Sequence, residues 1–174
     1  DYILNNLDDR VQGVRVFDTL LKHNSEYLYF RTDHHWTADG AYYAYEQFCE
    51  KKGISPNSRD DYQIQEFDNF VGSFYSFGNQ AAVLAENPDV ITAYLPKGTN
   101  EMTYTGIDGI DMDWQVIADA SNYDSGNKYS CFIGGDNPYS IIENPTLQDG
   151  SSCLVIKESY GNAFVPFLVD HYQT

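Results

Sequence analysis

Near the end of the chain, the apolar run Cys153, Leu154, Val155 and Ile156 leads through the polar turn KESYGN into Ala163, Phe164, Phe167 and Leu168 at helical spacing. A short, uninterrupted apolar run of this kind reads as a strand buried on both faces of an α/β sheet. Pro166 fits the following helix only where that helix begins close to Asn162 or Ala163. The segment is therefore a strand, a turn and a helix, with Ser159 on the turn. In α/β folds that position is the carboxyl edge of the sheet, where sites are built. The expected fold class is α/β.

A second unit of the same kind lies toward the other end. Tyr27 to Phe30 reads as an aromatic-rich strand that runs into TDHHWTADG, after which Ala41, Ala44, Tyr45 and Phe48 share one helical face. Thr37 is suited to cap that helix, Asp39 to its positive end, and Lys51, Lys52 and Gly53 to its last turn. Upstream, Val14, Val16 and Phe17 read as a strand or strand end, with Asp18 as a cap before a helical turn through Leu20, Leu21 and Lys22. From about residue 62 to residue 150 the pattern changes to short β-prone runs, at Gln63 to Phe67, Val90 to Leu95, Glu101 to Thr105, Trp114 to Ile117 and Tyr129 to Ile133. A turn at Gln148 to Ser151 would close a hairpin between Ser140 to Ile142 and the strand at Cys153. With no repeat or linker to divide it, the chain is expected to form one domain over 1–174 with a β-rich insertion at about 62–150.

Size and charge narrow the function. A chain of 174 residues buries roughly 70% of its unfolded surface, so it needs no metal or disulfide staple. Its formal net charge is −16, from 26 acidic against 10 basic residues, a field that repels phosphate backbones and argues against nucleic acid. Cys49, Cys131 and Cys153 lack the spacing of a zinc site and are too few for a disulfide framework. The longest apolar run, Ala163 to Val169, is far shorter than the roughly 20 residues that span a bilayer, so no membrane span is expected in this segment. The chain starts at Asp1 and stops at Thr174, just after an apolar stretch. That reads as an excised, truncated piece, with room upstream for a signal or anchor.

Ser159, on a strand-to-helix turn, is placed to act as a nucleophile, with the helix start supplying N–H groups and dipole to a developing oxyanion. The bland alternative is a helix cap. A serine needs a base, and the histidines are His23, His34, His35 and His171. Two of them are adjacent, in Asp33-His34-His35-Trp36, between a strand and a capped helix. Asp33 is suited to hold the imidazole of His35 in the accepting tautomer; capping, with surface histidines, is again the bland reading. Asp33, His34 and His35 also resemble a metal ligand set, but adjacent residues rarely aim at one ion, and the other carboxylates of a DHH phosphoesterase are not found. Asp108, Asp111 and Asp113 miss EF-hand spacing and read as a solvated turn. No metal and no cofactor are expected.

The stretches YFRTDHHWTADGAYYAY (Tyr29 to Tyr45) and LVIKESYGNAFVPFL (Leu154 to Leu168) resemble the two signature blocks of the bacterial DHHW protein family. That family is similar to the SGNH (GDSL-like) hydrolases, in particular to the permuted SGNH domains of alginate O-acetyltransferases, where an Asp-x-His-Trp motif precedes the serine. The resemblance implies an SGNH-like three-layer sheet-and-helix domain in permuted order. It matches Asp33 and His35 to the Asp-x-His pair and Ser159 to the nucleophile, with His34 as the spacer. Glu158 stands where many relatives have Asp. Tyr160, Asn162, His34 and Trp36 are the supporting or oxyanion candidates.

Two functions follow. The first is an extracytoplasmic esterase or O-acyltransferase, acetyl by resemblance, acting on a cell-surface or extracellular polysaccharide through Ser159, His35 and Asp33. The second is a non-catalytic carbohydrate-binding or structural module that keeps the family blocks, with Tyr, Phe and Trp near the site as its binding face.

Overall fold

The computed structural model describes residues 2–174. Two short helices, α1 (Tyr2–Asn5) and α2 (Phe17–Lys22), precede the long helix α3 (Ala38–Lys52). Then follow β1 (Gln63–Phe70), α4 (Ser73–Phe77), α5 (Ala82–Ala85), β2 (Asp89–Leu95), β3 (Glu101–Thr105), β4 (Asp111–Gln115), β5 (Tyr139–Ile141) and α6 (Gly161–Phe164). The last helix passes directly into a 3-10 turn over Val165–His171.

The strands form two small antiparallel sheets, β1–β2 and β4–β3–β5. β1 and β2 pair from Gln63 opposite Leu95 to Phe67 opposite Ile91, and a bulge then brings Phe70 opposite Asp89. Asn69 within the bulge has φ +64°, a left-handed backbone that asparagine tolerates better than most residues. The bulge bends the end of β1 toward the loop that follows Phe30.

α3 forms as its sequence dictates. The Thr37 side chain accepts from the Gly40 N–H, and Gly53 closes the helix at φ +76°; an N-cap of this type stabilises by about 1 kcal/mol. Ala38, Ala41, Tyr42, Tyr45 and Cys49 are buried, a face that packs into the main core with Phe70, Ile91, Phe132, Ala163 and Phe167. The Tyr45 ring stacks on Phe167 at 5.3 Å, with Tyr42, Tyr62 and Tyr94 edge-on or tilted around the same ring. This aromatic knot joins α3, β2 and the C-terminal 3-10 turn, the elements that hold the two halves of the site together.

Several expectations are corrected. The run Cys153–Ile156 is extended coil, with Leu154 84% and Ile156 93% exposed, because no strand of the described residues lies alongside to complete a hydrogen-bond ladder. Its N-terminal end instead meets the chain terminus, where the Cys153 N–H donates to the Thr174 carbonyl at 2.9 Å. β5 pairs with β3, so the hairpin expected across Gln148 to Ser151 does not form. Tyr129 to Ile133 lies at the end of a 3-10 turn, Ser125–Cys131, not in a strand; its one sheet-like contact is a bridge between Phe132 and Ile117. β4 lies a few residues ahead of the expected Trp114 to Ile117. Tyr27 to Phe30 is reduced to a single bridge, Tyr29 to Trp36. Val14 and Val16 are not in a strand, and Asp18 sits within the first turn of α2, whose cap position is Val16. The architecture is a small mixed α/β domain built on antiparallel sheets.

Candidate active site

The loop from Arg31 to Trp36 is folded back on itself: the Phe30 N–H donates to the His35 carbonyl and the Thr37 N–H to that of Leu28. What pins it is a carboxylate from β2. Asp89, wholly buried, accepts from the Thr32 N–H at 2.8 Å and the Thr32 hydroxyl at 2.6 Å, from Arg31 Nε at 3.0 Å, and from the Tyr27 hydroxyl. Thr32 in turn accepts from the Gly72 N–H at 3.0 Å. β1, β2 and the loop are therefore locked together at the residue before Asp33.

Asp33 is 5% exposed. Its Oδ1 accepts from His35 Nδ1 at 2.5 Å and from the His35 N–H at 3.0 Å, and its Oδ2 accepts from the Ser73 N–H at 2.7 Å. Burial opposes ionisation of this carboxyl, but the His35 and Ser73 hydrogen bonds outweigh it and hold Asp33 well below the ordinary carboxylate range. Gly72 makes the approach feasible: a Cβ there would lie 2.3 Å from Asp33 Cβ, so any other residue would push the carboxylate away.

His35 Nε2 lies 2.7 Å from Ser159 Oγ. With Nδ1–H donated to the carboxylate, Nε2 is left to accept the serine proton; the hydrogen-bond network fixes this tautomer. The His35 ring lies flat on Tyr129, centroids 4.0 Å apart at 12°, and the Tyr129 hydroxyl donates to the Ser159 carbonyl at 3.2 Å. One buried tyrosine thus supports both the imidazole plane and the backbone of the serine.

Ser159 stands on the turn before α6, as expected, but this turn follows extended coil and not a sheet edge. The first N–H groups of α6 are committed locally, Gly161 to the Glu158 carbonyl and Asn162 to the Ser159 carbonyl. They are not free to meet an oxyanion, contrary to the expectation from the helix start. The Ser159 N–H has no acceptor among the described residues. Asn162 is 2% exposed, lines the pocket, and its Oδ1 has no partner.

The other supporting candidates tie the two loops together. Trp36 Nε1 donates to the Tyr160 carbonyl at 2.9 Å, and the Tyr160 hydroxyl donates to the His34 carbonyl. His34 is partly exposed, bonded to Ser73 Oγ at 2.6 Å, and its ring sits over that of His35 at 3.9 Å. Asp33, His34 and His35 are close enough to suggest a metal ligand set. The imidazole rings, however, are tilted at 36° to each other and their bonded nitrogens meet Asp33, Ser73 and Ser159, so this arrangement does not aim them at a common ion.

These groups surround a pocket of about 320 Å³ whose walls include Ser73, Ser76, Phe77, Tyr129, Gly135 and Asp136. Lys157 Nζ holds Asp136 at 2.8 Å and, as the main cause, lowers its carboxyl below the usual range. Sequence reasoning did not find Asp89, Gly72, Ser73 or Tyr129. Asp89 followed a recognisable Asn-Pro turn, yet nothing local marks any of them as neighbours of Asp33.

Fold and site together define a small mixed α/β domain with an Asp–His–Ser hydrogen-bond chain, buried at Asp33 and His35, assembled from loops at its two ends. The chain belongs to the DHHW protein family, whose model matches residues 1–174. It is similar to the crystal structure of a DHHW family protein from Eubacterium siraeum, with 33% identity and a TM-score of 0.87 over 98% of this chain and 56% of that one. It also shares the fold of Bacillus cereus PatB1, with 23% identity and a TM-score of 0.74 over 99% of this chain and 61% of that one. A structure of PatB1 with a sulfonyl adduct gives 22% identity and a TM-score of 0.75, over 99% and 60% of the two chains. The chain therefore spans between half and two thirds of these solved structures. No curated protein matches it.

Proposed function

We propose that this protein is an SGNH-like serine esterase or O-acyltransferase, with acetyl as the acyl group, acting on a cell-surface or extracellular polysaccharide. The observation that carries the reading is the continuous line from Asp33 Oδ1 through His35 to Ser159 Oγ, with heavy-atom separations of 2.5 and 2.7 Å. Those distances suit proton transfer from the hydroxyl without rearrangement.

In this reading Ser159 Oγ attacks the acyl carbonyl carbon as its proton passes to His35 Nε2. Asp33 stabilises the imidazolium and keeps its plane, helped by the Tyr129 ring beneath. The Ser159 N–H and the Asn162 side-chain N–H take the oxyanion role that the committed N–H groups of α6 do not. Collapse of the tetrahedral intermediate breaks the ester C–O bond, and His35 returns the proton to the departing alkoxide. The acyl-Ser159 intermediate is then released by water in hydrolysis, or by a sugar hydroxyl in transfer: His35 removes the proton of the attacking oxygen and returns it to Ser159 Oγ as the acyl–serine C–O bond breaks. A protein of the same fold carries a sulfonyl adduct, and activated hydroxyls are among the groups that sulfonyl reagents modify.

The SGNH-like permuted order, a single domain with residues 62–150 inserted, and a place outside the cytoplasm belong to the same proposal. The family blocks and the acyl-transfer chemistry support them. No described helix is long and apolar enough to cross a membrane, so an anchor would have to lie elsewhere. The net charge of −16 disfavours strongly anionic polymers.

The test is covalent labelling by a serine-directed phosphonate, read by mass spectrometry, together with hydrolysis of a small acetyl ester. The parent should gain one adduct on Ser159 and hydrolyse the ester, and Ser159→Ala should do neither. Glycan binding by a parent that takes no label and hydrolyses nothing would favour the carbohydrate-binding module instead.

A further inference from the structure

One wall of the serine pocket is not used by the chemistry above. Ser73, Ser76 and Phe77 all line it and stand at i, i+3 and i+4 on α4, so they form one face of that helix. Phe77 is 88% exposed. A lone exposed phenylalanine is ordinary; one at the rim of a pocket that contains an activated hydroxyl offers an apolar ring to whatever enters.

The ring is held in register with the reacting groups. The Ser73 N–H donates to Asp33 Oδ2 at 2.7 Å, and the Phe74 N–H donates to the Thr32 carbonyl at 3.0 Å. α4 is thus clamped by its first residues to the loop that carries His35. Around the pocket, the acidic groups are Asp33 and Asp136, and the cation beside them, Lys157, is engaged by Asp136. His34, His35 and Tyr129 complete the ionisable lining.

Resting on the reading of the site given above, we infer that Phe77 is a substrate-contact residue, a platform for the apolar face of a neutral pyranose ring beside Ser159. A pyranose presents axial C–H groups on one face and hydroxyls around its edge. Its C–H face matches an exposed aromatic ring, while Ser73, Ser76 and Asn162 are placed to meet hydroxyls. A uronic acid would bring its carboxylate toward Asp33 and Asp136 and is disfavoured.

The experiment compares the parent with F77A and F77Y in two measurements. The first is hydrolysis of triacetin, a small ester without a ring. The second is calorimetric binding of xylohexaose, chitohexaose and hexagalacturonate. The parent should bind at least one of the neutral oligosaccharides more tightly than hexagalacturonate. F77A should weaken that binding about tenfold, as expected for loss of one aromatic contact, and F77Y should restore it to within about twofold of the parent. Triacetin turnover should fall clearly less than glycan binding in F77A, since the ring lies outside the proton-transfer line and a small ester offers it no pyranose face. Unchanged glycan binding in F77A, an equal loss on triacetin and glycan, a preference for hexagalacturonate, or no glycan binding by the parent would each overturn the inference. A parent inactive on triacetin refutes the esterase reading alone, and the binding comparison then decides Phe77 by itself.

Discussion

His35 Nε2 and Ser159 Oγ lie 2.7 Å apart although 124 positions separate them in the chain. It is one of three hydrogen bonds between the same loops, alongside Trp36 Nε1 to the Tyr160 carbonyl and the Tyr160 hydroxyl to the His34 carbonyl. Behind them, α3 packs on α6 and on Phe167 in the main core. Geometry at the hydroxyl is thus set by the folding of the whole domain.

The proposed role of Asp33 can be separated from that of a mere loop anchor. Asp33→Asn keeps an acceptor for the Ser73 N–H but removes the charge that supports an imidazolium and permits the wrong tautomer of His35. Esterase turnover is expected to fall by about a thousandfold or more, with the far-ultraviolet circular dichroism of the parent retained. Turnover within a few fold of the parent would remove Asp33 from the proton relay.

Gly72 should matter to activity although it touches no substrate. A methyl group added there would meet Asp33 Cβ at 2.3 Å and its Oδ2 at 2.4 Å. Gly72→Ala must move the carboxylate or the loop, and phosphonate labelling of Ser159 should slow by about a hundredfold, the scale expected when a catalytic group is displaced by an ångström. Labelling at the parental rate would show that the loop absorbs the clash elsewhere.

Asp89 is the buried group on which the Thr32 turn depends. Asp89→Ala leaves the buried Thr32 N–H without its acceptor and the Thr32 hydroxyl with only the Phe70 carbonyl at 3.4 Å, a cost of about 2–4 kcal/mol. Urea unfolding should show a lower midpoint with an unchanged slope, and Asp89→Asn should fall between variant and parent. A midpoint unchanged in Asp89→Ala would mean that water replaces the carboxylate.

Stability should also fall in acid. Burial opposes ionisation of Asp33 and Asp89, yet hydrogen bonds from His35 and Ser73 to the first, and from Thr32 and Tyr27 to the second, lower both carboxyls. The unfolded chain, with ordinary carboxyls near about 4, then binds protons more readily than the folded one. The stabilisation is complete above the unfolded value and is lost as pH falls through the lowered folded values. Thermal melting should therefore be nearly level for these groups from pH 7 to about 5 and drop steeply below about 4. Asp33→Asn should show a shallower drop, and an acid profile identical to that of the parent would contradict the assignment.

The parts of the molecule that could be read from the sequence share one property. α3 is set by contributions within seventeen consecutive residues, Thr37 to Gly53: a cap, an apolar face and a glycine in the left-handed region. β1, β2 and β3 were marked by β-prone runs between turn residues. Asp33, His35 and Ser159 stood out because serine–imidazole chemistry needs those side chains and the chain has few histidines; the choice of His35 over His34 came from family resemblance.

The tertiary structure decided what depends on distant partners. An apolar run becomes a buried strand only when neighbours supply its hydrogen bonds, and Leu154 and Ile156 have none in the described residues and stand exposed. Tyr129 became the support of His35, Asp89 the anchor of Thr32, and Gly72 the gap beside Asp33, through contacts across 30 or more positions that carry no local pattern. The sequence by itself determined which groups are capable of the chemistry. Only the fold brought them within hydrogen-bond distance, because a hydrogen bond depends on position in space and not on separation along the chain.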